Sequence, residues 1–304
     1  MPHHVLTLLD IGSQTLPGLL RRGREMKTSG EISTVLDHKT LVLIFEKSST
    51  RTRVSFEVAV HELGGKTVFM TPAESQLGRS EPLKDTARCL TRYVQGMIVR
   101  TFSQSNLLEL SGYAHVPVIN ALSDSYHPCQ VLSDLLTIQE GTPDFASLKI
   151  AWVGDGNNMA HSWINAARLL PFELHMATPR EFEPDAALVQ AAREDGARLF
   201  LGHDPARAVQ DADYVNTDAW FSMGQEADET RRSKAFAGFQ INAELMAGAP
   251  DRARVMHCLP AHRGQEISEE MLESERSLVW DQAENRLHMQ KALLEWVFTK
   301  FLRR

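Results

Sequence analysis

Cysteine is scarce. Cys89, Cys129 and Cys258 are spread over 304 residues, and no C-x-x-C or C-x-x-C…H spacing joins them. That excludes a disulfide framework and a zinc knuckle, and it points to a reducing compartment. Long hydrophobic runs are also missing. Stretches such as Leu41–Phe45 fall far short of the roughly 20 residues needed to cross a bilayer. The N-terminal segment has no basic region and its apolar stretch is broken by Asp10, so no signal peptide is expected. Positive charge is not in excess: Lys and Arg total 32 against 39 Asp and Glu, a net charge of −7 with 12 His neutral. Nothing electrostatic therefore calls for nucleic acid or an anionic membrane as partner. Low-complexity tracts and repeats of solenoid period do not occur. What is left is ordinary, with 43% hydrophobic and 23% charged residues, as in soluble globular proteins. At about 150 residues per domain, the length suggests two domains with a sizeable core. The expectation is a soluble, cytoplasmic protein.

Short β-rich runs alternate with helix-length segments. Leu41–Phe45, Met97–Val99 and Pro117–Asn120 read as strands, with helical patterns from Val54 to Leu63 and from Leu107 to Tyr113. A second series follows: Lys149–Val153, a helix from about Met159 to Leu170, Glu173–Ala177, Asp185–Asp195, Tyr214-Val215 and Arg254–Met256. Strands separated by helices predict parallel sheets covered by helices, an α/β fold. The seam is placed near Gln130–Gly141, where an apolar helix stops at Gly141-Thr142-Pro143. The expected domains are residues 1–133 with a C-terminal helix over 285–304, and residues 134–284.

The sharpest local signal is Phe45-Glu46-Lys47-Ser48-Ser49-Thr50-Arg51-Thr52-Arg53. A strand enters a turn rich in hydroxyls and arginines, and a helix follows at once. Free N–H groups at a helix start, together with the helix dipole, attract an anion, and Arg51 can grip phosphate oxygens in bidentate fashion. A plain N-cap would need no pair of arginines among three hydroxyls. Two better-known phosphate motifs fail. Gly65-Lys66-Thr67 resembles the end of a P-loop, but its leading glycine is Val60. Gly154-Asp155-Gly156-Asn157-Asn158-Met159 resembles a dinucleotide fingerprint, but the third glycine is Met159 and no acid follows near His175–Thr178. A nicotinamide dehydrogenase is thereby disfavoured. His127-Pro128-Cys129-Gln130 opens the helix at the seam, where clefts form; His and Gln there suit either capping or a polarised carbonyl. Asp218, just past a strand, suits either a loop cap or a bound ammonium. Cys258, between His257 and Pro260, reads as a buried inert thiol or a nucleophile.

In order along the chain, Ser49-Thr50-Arg51-Thr52-Arg53, Ser75-Gln76-Leu77-Gly78, Val99-Arg100-Thr101, His127-Pro128-Cys129-Gln130, Gly154-Asp155-Gly156-Asn157-Asn158, Asp218-x-x-x-Ser222-Met223-Gly224, His257-Cys258-Leu259-Pro260 and Glu284-Asn285-Arg286 resemble the ornithine branch of the aspartate/ornithine carbamoyltransferase family. The resemblance implies two α/β domains, each a parallel-sheet sandwich, with the C-terminal helix returning to the first. It implies carbamoyl phosphate held by Ser49, Thr50, Arg51, Thr52, Arg100, His127, Pro128, Cys129 and Gln130, completed by Cys258, Leu259 and Arg286. Gln76 would reach in from a neighbouring subunit of a homotrimer. L-ornithine would be held by Asn158, Asp218, Ser222 and Met223, with Arg100, His127, Asp218 and Cys258 acting in catalysis. No cofactor and no metal are implied, and a place in arginine biosynthesis is.

The implied chemistry is consistent with the residues. An alkyl amine with a pKa of about 10.4 must attack as the free base, and desolvation beside Arg51 and Arg100 disfavours its charged form. Thr52, Arg100 and His127 would stabilise the oxyanion. Competing expectations are another amine acceptor (putrescine, an acylated ornithine or aspartate) and a non-catalytic relative. The acidic Asp218 disfavours aspartate, no Pro-rich insertion supports an acylated substrate, and the presence of Arg51, Arg100 and His127 disfavours loss of catalysis.

Overall fold

The computed structural model describes residues 3–30, 33–74, 81–221 and 229–302. It divides into two compact units, Met1–Leu136 with Glu284–Arg304, and Thr137–Ala283.

The first unit is built on four parallel strands, β1 (Thr40–Phe45), β2 (Lys66–Met70), β3 (Gly96–Arg100) and β4 (Val118–Leu122), in the order β2-β1-β3-β4. Leu41–Phe45 and Gly96–Arg100 are buried along their length, as expected of central parallel strands covered on both faces. The crossovers are made by α2 (Thr50–Glu62), α3 (Leu83–Leu90) and α4 (Gln104–Tyr113). Helix α1 (Leu16–Thr28) precedes the sheet and α5 (Pro128–Gly141) follows it. Helix α12 (Val279–Leu302) packs on this unit through the portion after Glu284. Leu293, Leu294, Val297 and Phe298 are fully buried, and Arg22 of α1 grips Glu295 with two bonds of 2.7 and 3.0 Å. Gly96 lets this happen, because a Cβ there would lie 2.8 Å from the Phe298 ring. The C-terminal helix thus returns to the N-terminal helices.

The second unit holds five parallel strands, β5 (Lys149–Val153), β6 (Glu173–Ala177), β7 (Arg198–Gly202), β8 (Tyr214–Thr217) and β9 (Arg254–His257), in the order β7-β6-β5-β8-β9. Its helices are α6 (Asn158–Leu169), α7 (Ala186–Glu194), α8 (Pro205–Val209), α9 (Glu229–Ala235), α10 (Ala243–Ala247) and α11 (Glu269–Leu272). One cluster around Val153, Val215, Phe236, Ile241 and Val255 fills the face of β5, β8 and β9. Among the described residues, no helix is long and apolar enough to cross a membrane.

The α/β class and parallel sheets agree with the sequence. Two strands did not stand out there, β2 and β7. Both are edge strands with partly exposed patterns, so Lys66, Thr67 and Arg198 dilute the apolar signal. Each sheet reverses its winding once, between β1 and β3 and between β5 and β8. Ligand crevices of open α/β sheets form at the carboxyl ends of strands flanking such a reversal.

Candidate active site

In the first unit the reversal brings the ends of β1 and β3 together, with Phe45 opposite Arg100. Glu46 knits them: its N–H donates to the Arg100 carbonyl at 2.8 Å, and its Oε2 accepts from Thr101 Oγ1 at 2.5 Å and from Phe102 N at 3.0 Å. Ser49 is the extended N-cap of α2, its Oγ accepting from Thr52 N at 3.3 Å. Thr50, Arg51 and Thr52 thus form the first turn of a 13-residue helix, whose N–H groups and dipole favour an anion.

The start of α5 adds a buried polar chain. His127 precedes the helix and Pro128 is its first residue, a position where the missing N–H costs nothing. Arg286 of α12 donates from Nη2 to Thr52 Oγ1 at 2.7 Å and from Nη1 to Gln130 Oε1 at 2.5 Å. Gln130 passes on from Nε2 to Asp134 Oδ1 at 2.8 Å. Arg286 therefore braces α2 against α5, and Asp134 sets which end of the Gln130 amide faces the guanidinium. His127 is buried, and burial, Arg286 and Arg100 together hold its pKa well below 6.5; the ring is neutral at physiological pH. Cys129 turns inward, its thiol donating to the Asn120 carbonyl at 3.3 Å, and burial pushes its pKa up to about 12. Its side chain belongs to the core, leaving only its backbone for a ligand. Gln76 lies outside the described residues.

In the second unit the reversal brings together the Gly154–Asn158 turn after β5 and Asp218 after β8. Gly156 is required by close approach, since a Cβ would sit 2.3 Å from Pro184 N. Asp218 Oδ2 accepts from Asn157 Nδ2 at 2.9 Å, and Oδ1 accepts from Ala219 N at 2.8 Å and from the Cys258 thiol at 2.9 Å. Asn157 also caps α6, accepting from Met159 N and Ala160 N, so one side chain ties the turn to the carboxylate. Asn158 is the first residue of α6, beside it. Leu259 holds a left-handed φ of 58°, unusual for a bulky residue, and its N–H donates to His257 Nδ1 at 2.9 Å. The His257 proton must then be on Nε2, which meets Glu266 Oε1 at 3.0 Å in a fully buried pair. Ser222 and Met223 lie outside the described residues.

Arg232 anchors this region from behind. Its guanidinium donates to Asp155 Oδ2 at 2.5 and 3.2 Å and to the Trp220 carbonyl at 3.0 Å. Burial pushes the Asp155 carboxyl up to about 6, against the opposing pull of Arg232. Asp218, His257 and Cys258 bring potential ligand atoms within 4.8 Å of one another. Both His257 nitrogens are already engaged, however, and the thiol is donating, so the donor set fits orientation of Asp218 better than a metal ion.

The sequence passed over several groups that shape the site. Asp134 was readable as the i+4 partner of Gln130 on a helix, and Glu46 and Asp155 sit inside motifs singled out above. Arg232 and Glu266 act over sequence distances that no local pattern marks.

Two family models match the chain. The carbamoyl-P binding domain of aspartate/ornithine carbamoyltransferase covers residues 3–140, and the Asp/Orn binding domain covers residues 146–297. The chain belongs to the aspartate/ornithine carbamoyltransferase family. Within this carbamoyltransferase family it is 61% identical over 297 residues to the ornithine carbamoyltransferase of Oleidesulfovibrio alaskensis, covering 98% of this chain and 99% of that one. It is 49% identical to that of Syntrophotalea carbinolica, covering 97% and 98%. The anabolic ornithine carbamoyltransferase from Campylobacter jejuni superposes with a TM-score of 0.93 at 41% identity, covering 99% of this chain and 100% of that one. The Thermus thermophilus ornithine carbamoyltransferase gives 0.90 at 39% identity, covering 98% and 99%.

Proposed function

We propose that this carbamoyltransferase moves the carbamoyl group of carbamoyl phosphate to the δ-amine of L-ornithine, giving L-citrulline and phosphate. The observation that carries the choice of acceptor is the Asp218 carboxylate, held by Asn157, Ala219 N and the Cys258 thiol. All three partners are uncharged, so its negative charge is left for a bound cation, as the α-ammonium of ornithine supplies and a second acidic substrate does not. The relatives named above carry the same activity in their names.

In this reading the turn from Ser49 to Thr52 and Arg51 take the phosphate, and Arg100 lies at its edge. Thr52 Oγ1 accepts from Arg286, which leaves the hydroxyl proton to donate. A neutral His127 can give one N–H to the carbamoyl oxygen without competing with the arginines for the phosphate charge. Together with Arg100 they stabilise the oxyanion that forms as the free amine adds to the carbonyl carbon. The C–O bond then breaks, and phosphate departs with its electron pair and accepts the amine proton. Gln130, its amide fixed by Asp134 and Arg286, would orient the carbamoyl end. Asn158, Ser222 and Met223 join Asp218 on ornithine, while Cys258 keeps that carboxylate in place and forms no acyl intermediate. Leu259 would complete the donor's surroundings.

A biosynthetic direction in the cytoplasm and a homotrimer that shares Gln76 between subunits belong to the same proposal. The likeness to an anabolic enzyme supports the first. Subunit complementation between two inactive variants tests the second. The acceptor is tested by citrulline release with ornithine, putrescine and aspartate offered in turn. Ornithine is expected to be preferred, and an equal or better rate with either alternative would overturn the assignment.

A further inference from the structure

Lys47 sits where the donor loop leaves β1, two residues before the Ser49 cap, yet none of the roles above uses it. Its ammonium is half-buried, and no carboxylate lies within ion-pair distance of it among the described residues. Nζ instead stands 4.5 Å over the face of the Phe102 ring. The two nearest acids are committed elsewhere. Glu46 holds Thr101 Oγ1 and Phe102 N, and Asp124 accepts from Gln104 N at 2.8 Å and Ser125 Oγ at 2.9 Å. Burial and the positive charge of Arg100 lower the Lys47 pKa, while Asp124 and Glu46 raise it by less. A lysine in such surroundings has more of the free amine, and the free amine is the nucleophile.

We propose that Lys47 is a second acceptor of the carbamoyl group: when no amino acid acceptor is present, carbamoyl phosphate bound at the Ser49–Thr52 turn carbamoylates Nζ and silences the site. The inference rests on the proposed donor reading. The neutral Nζ adds to the carbonyl carbon and forms an N–C bond. The C–O bond to phosphate breaks, phosphate leaves with that electron pair, and the amine proton passes to it. The products are an Nε-carbamoyl-lysine (a urea) and hydrogen phosphate, with no oxidation or reduction. The modified side chain has lost its positive charge beside Arg100 and the donor loop, so carbamoyl phosphate binds less well afterwards. Ornithine protects, because it consumes the donor.

The test incubates the full-length protein with carbamoyl phosphate, with or without ornithine, and maps the modified lysines by peptide mass spectrometry. The same preparation is assayed for citrulline. Expected is a carbamoyl increment concentrated at Lys47, suppressed by ornithine and by inorganic phosphate. The KM for carbamoyl phosphate should rise severalfold after preincubation. Lys47→Arg, which keeps the charge and removes the acceptor, should still form citrulline and should show no such rise. Cyanate alone, which reaches every exposed amine from solution, should spread the label over surface lysines. Lys47 left unlabelled by carbamoyl phosphate in the ornithine-free incubation of a preparation that forms citrulline once ornithine is added, or a Lys47 label unaffected by phosphate, overturns this inference and leaves the donor reading standing. Failure to form citrulline from ornithine overturns the donor reading itself.

Discussion

The two units treat charge in opposite ways. The first gathers guanidinium groups, Arg51, Arg100 and Arg286, around a helix start, where Arg286 bonds a hydroxyl and an amide and His127 is kept neutral by burial, Arg286 and Arg100. The second presents one carboxylate, Asp218, satisfied by an amide, a backbone N–H and a thiol. The three partners of Asp218 are uncharged. A site built this way keeps its charge for a ligand, and the ion pairs that hold the scaffold are placed behind it: Arg22 with Glu295 in the first unit, Arg232 with Asp155 in the second.

The largest effect should come from that scaffold. Arg232→Met leaves the buried Asp155 carboxylate uncompensated, and removing one partner of a buried pair costs about 3–5 kcal/mol. The loss should appear in thermal denaturation at neutral pH. It should shrink as the pH falls towards about 6 and level off below, because Arg232 holds the Asp155 pKa down and without it the carboxyl takes up its proton at a higher pH than in the native protein. A loss independent of pH would mean the pair is not what Arg232 contributes.

On the donor side, Arg51→Ala should weaken carbamoyl phosphate binding by about 1.5–3 kcal/mol, the range for a charged hydrogen-bond donor. Unchanged affinity in titration calorimetry would remove the phosphate role of the loop. Asp134→Ala strips the anchor from the Gln130 amide. A buried donor left unsatisfied costs about 1–3 kcal/mol, here read as a fall in kcat/KM for carbamoyl phosphate with ornithine binding retained. A fall confined to melting temperature would make Asp134 a purely structural group.

The smallest effect is one of pH, and it runs in opposite senses in the two units. His127 has a folded pKa well below its ordinary 6.5. The unfolded chain therefore takes up a proton first, and the stability contributed by the neutral ring is complete above 6.5 and is lost as the pH falls below it. Asp155, raised from 3.8 to about 6, contributes stability at low pH that is lost as the pH rises through about 6. The melting-temperature difference between native protein and His127→Gln should narrow as the pH drops below 6.5, and a constant difference would contradict a neutral buried ring.

Much of this was legible in the sequence. Buried central strands such as Leu41–Phe45 announce themselves, because both faces are covered and every residue is apolar. Edge strands do not, since half of each is wet. The donor loop stood out because hydroxyls and arginines crowd a strand-to-helix turn. Asp218 read evenly as a cap or a ligand, and its hydrogen bonds settle only what surrounds it: Asn157, Ala219 N and Cys258. The inward turn of Cys129 and the bracing by Arg286 were hidden, because motif order says nothing about which way a side chain faces.

The most direct test of the account is Asp218→Asn, which keeps the shape and removes the charge. Carbamoyl phosphate affinity should stay near that of the native protein in titration calorimetry, while the KM for ornithine rises about tenfold to a hundredfold, as expected for a lost charged hydrogen bond. Equal losses for both ligands, or an ornithine KM that does not move, would contradict the claim that this carboxylate holds the acceptor.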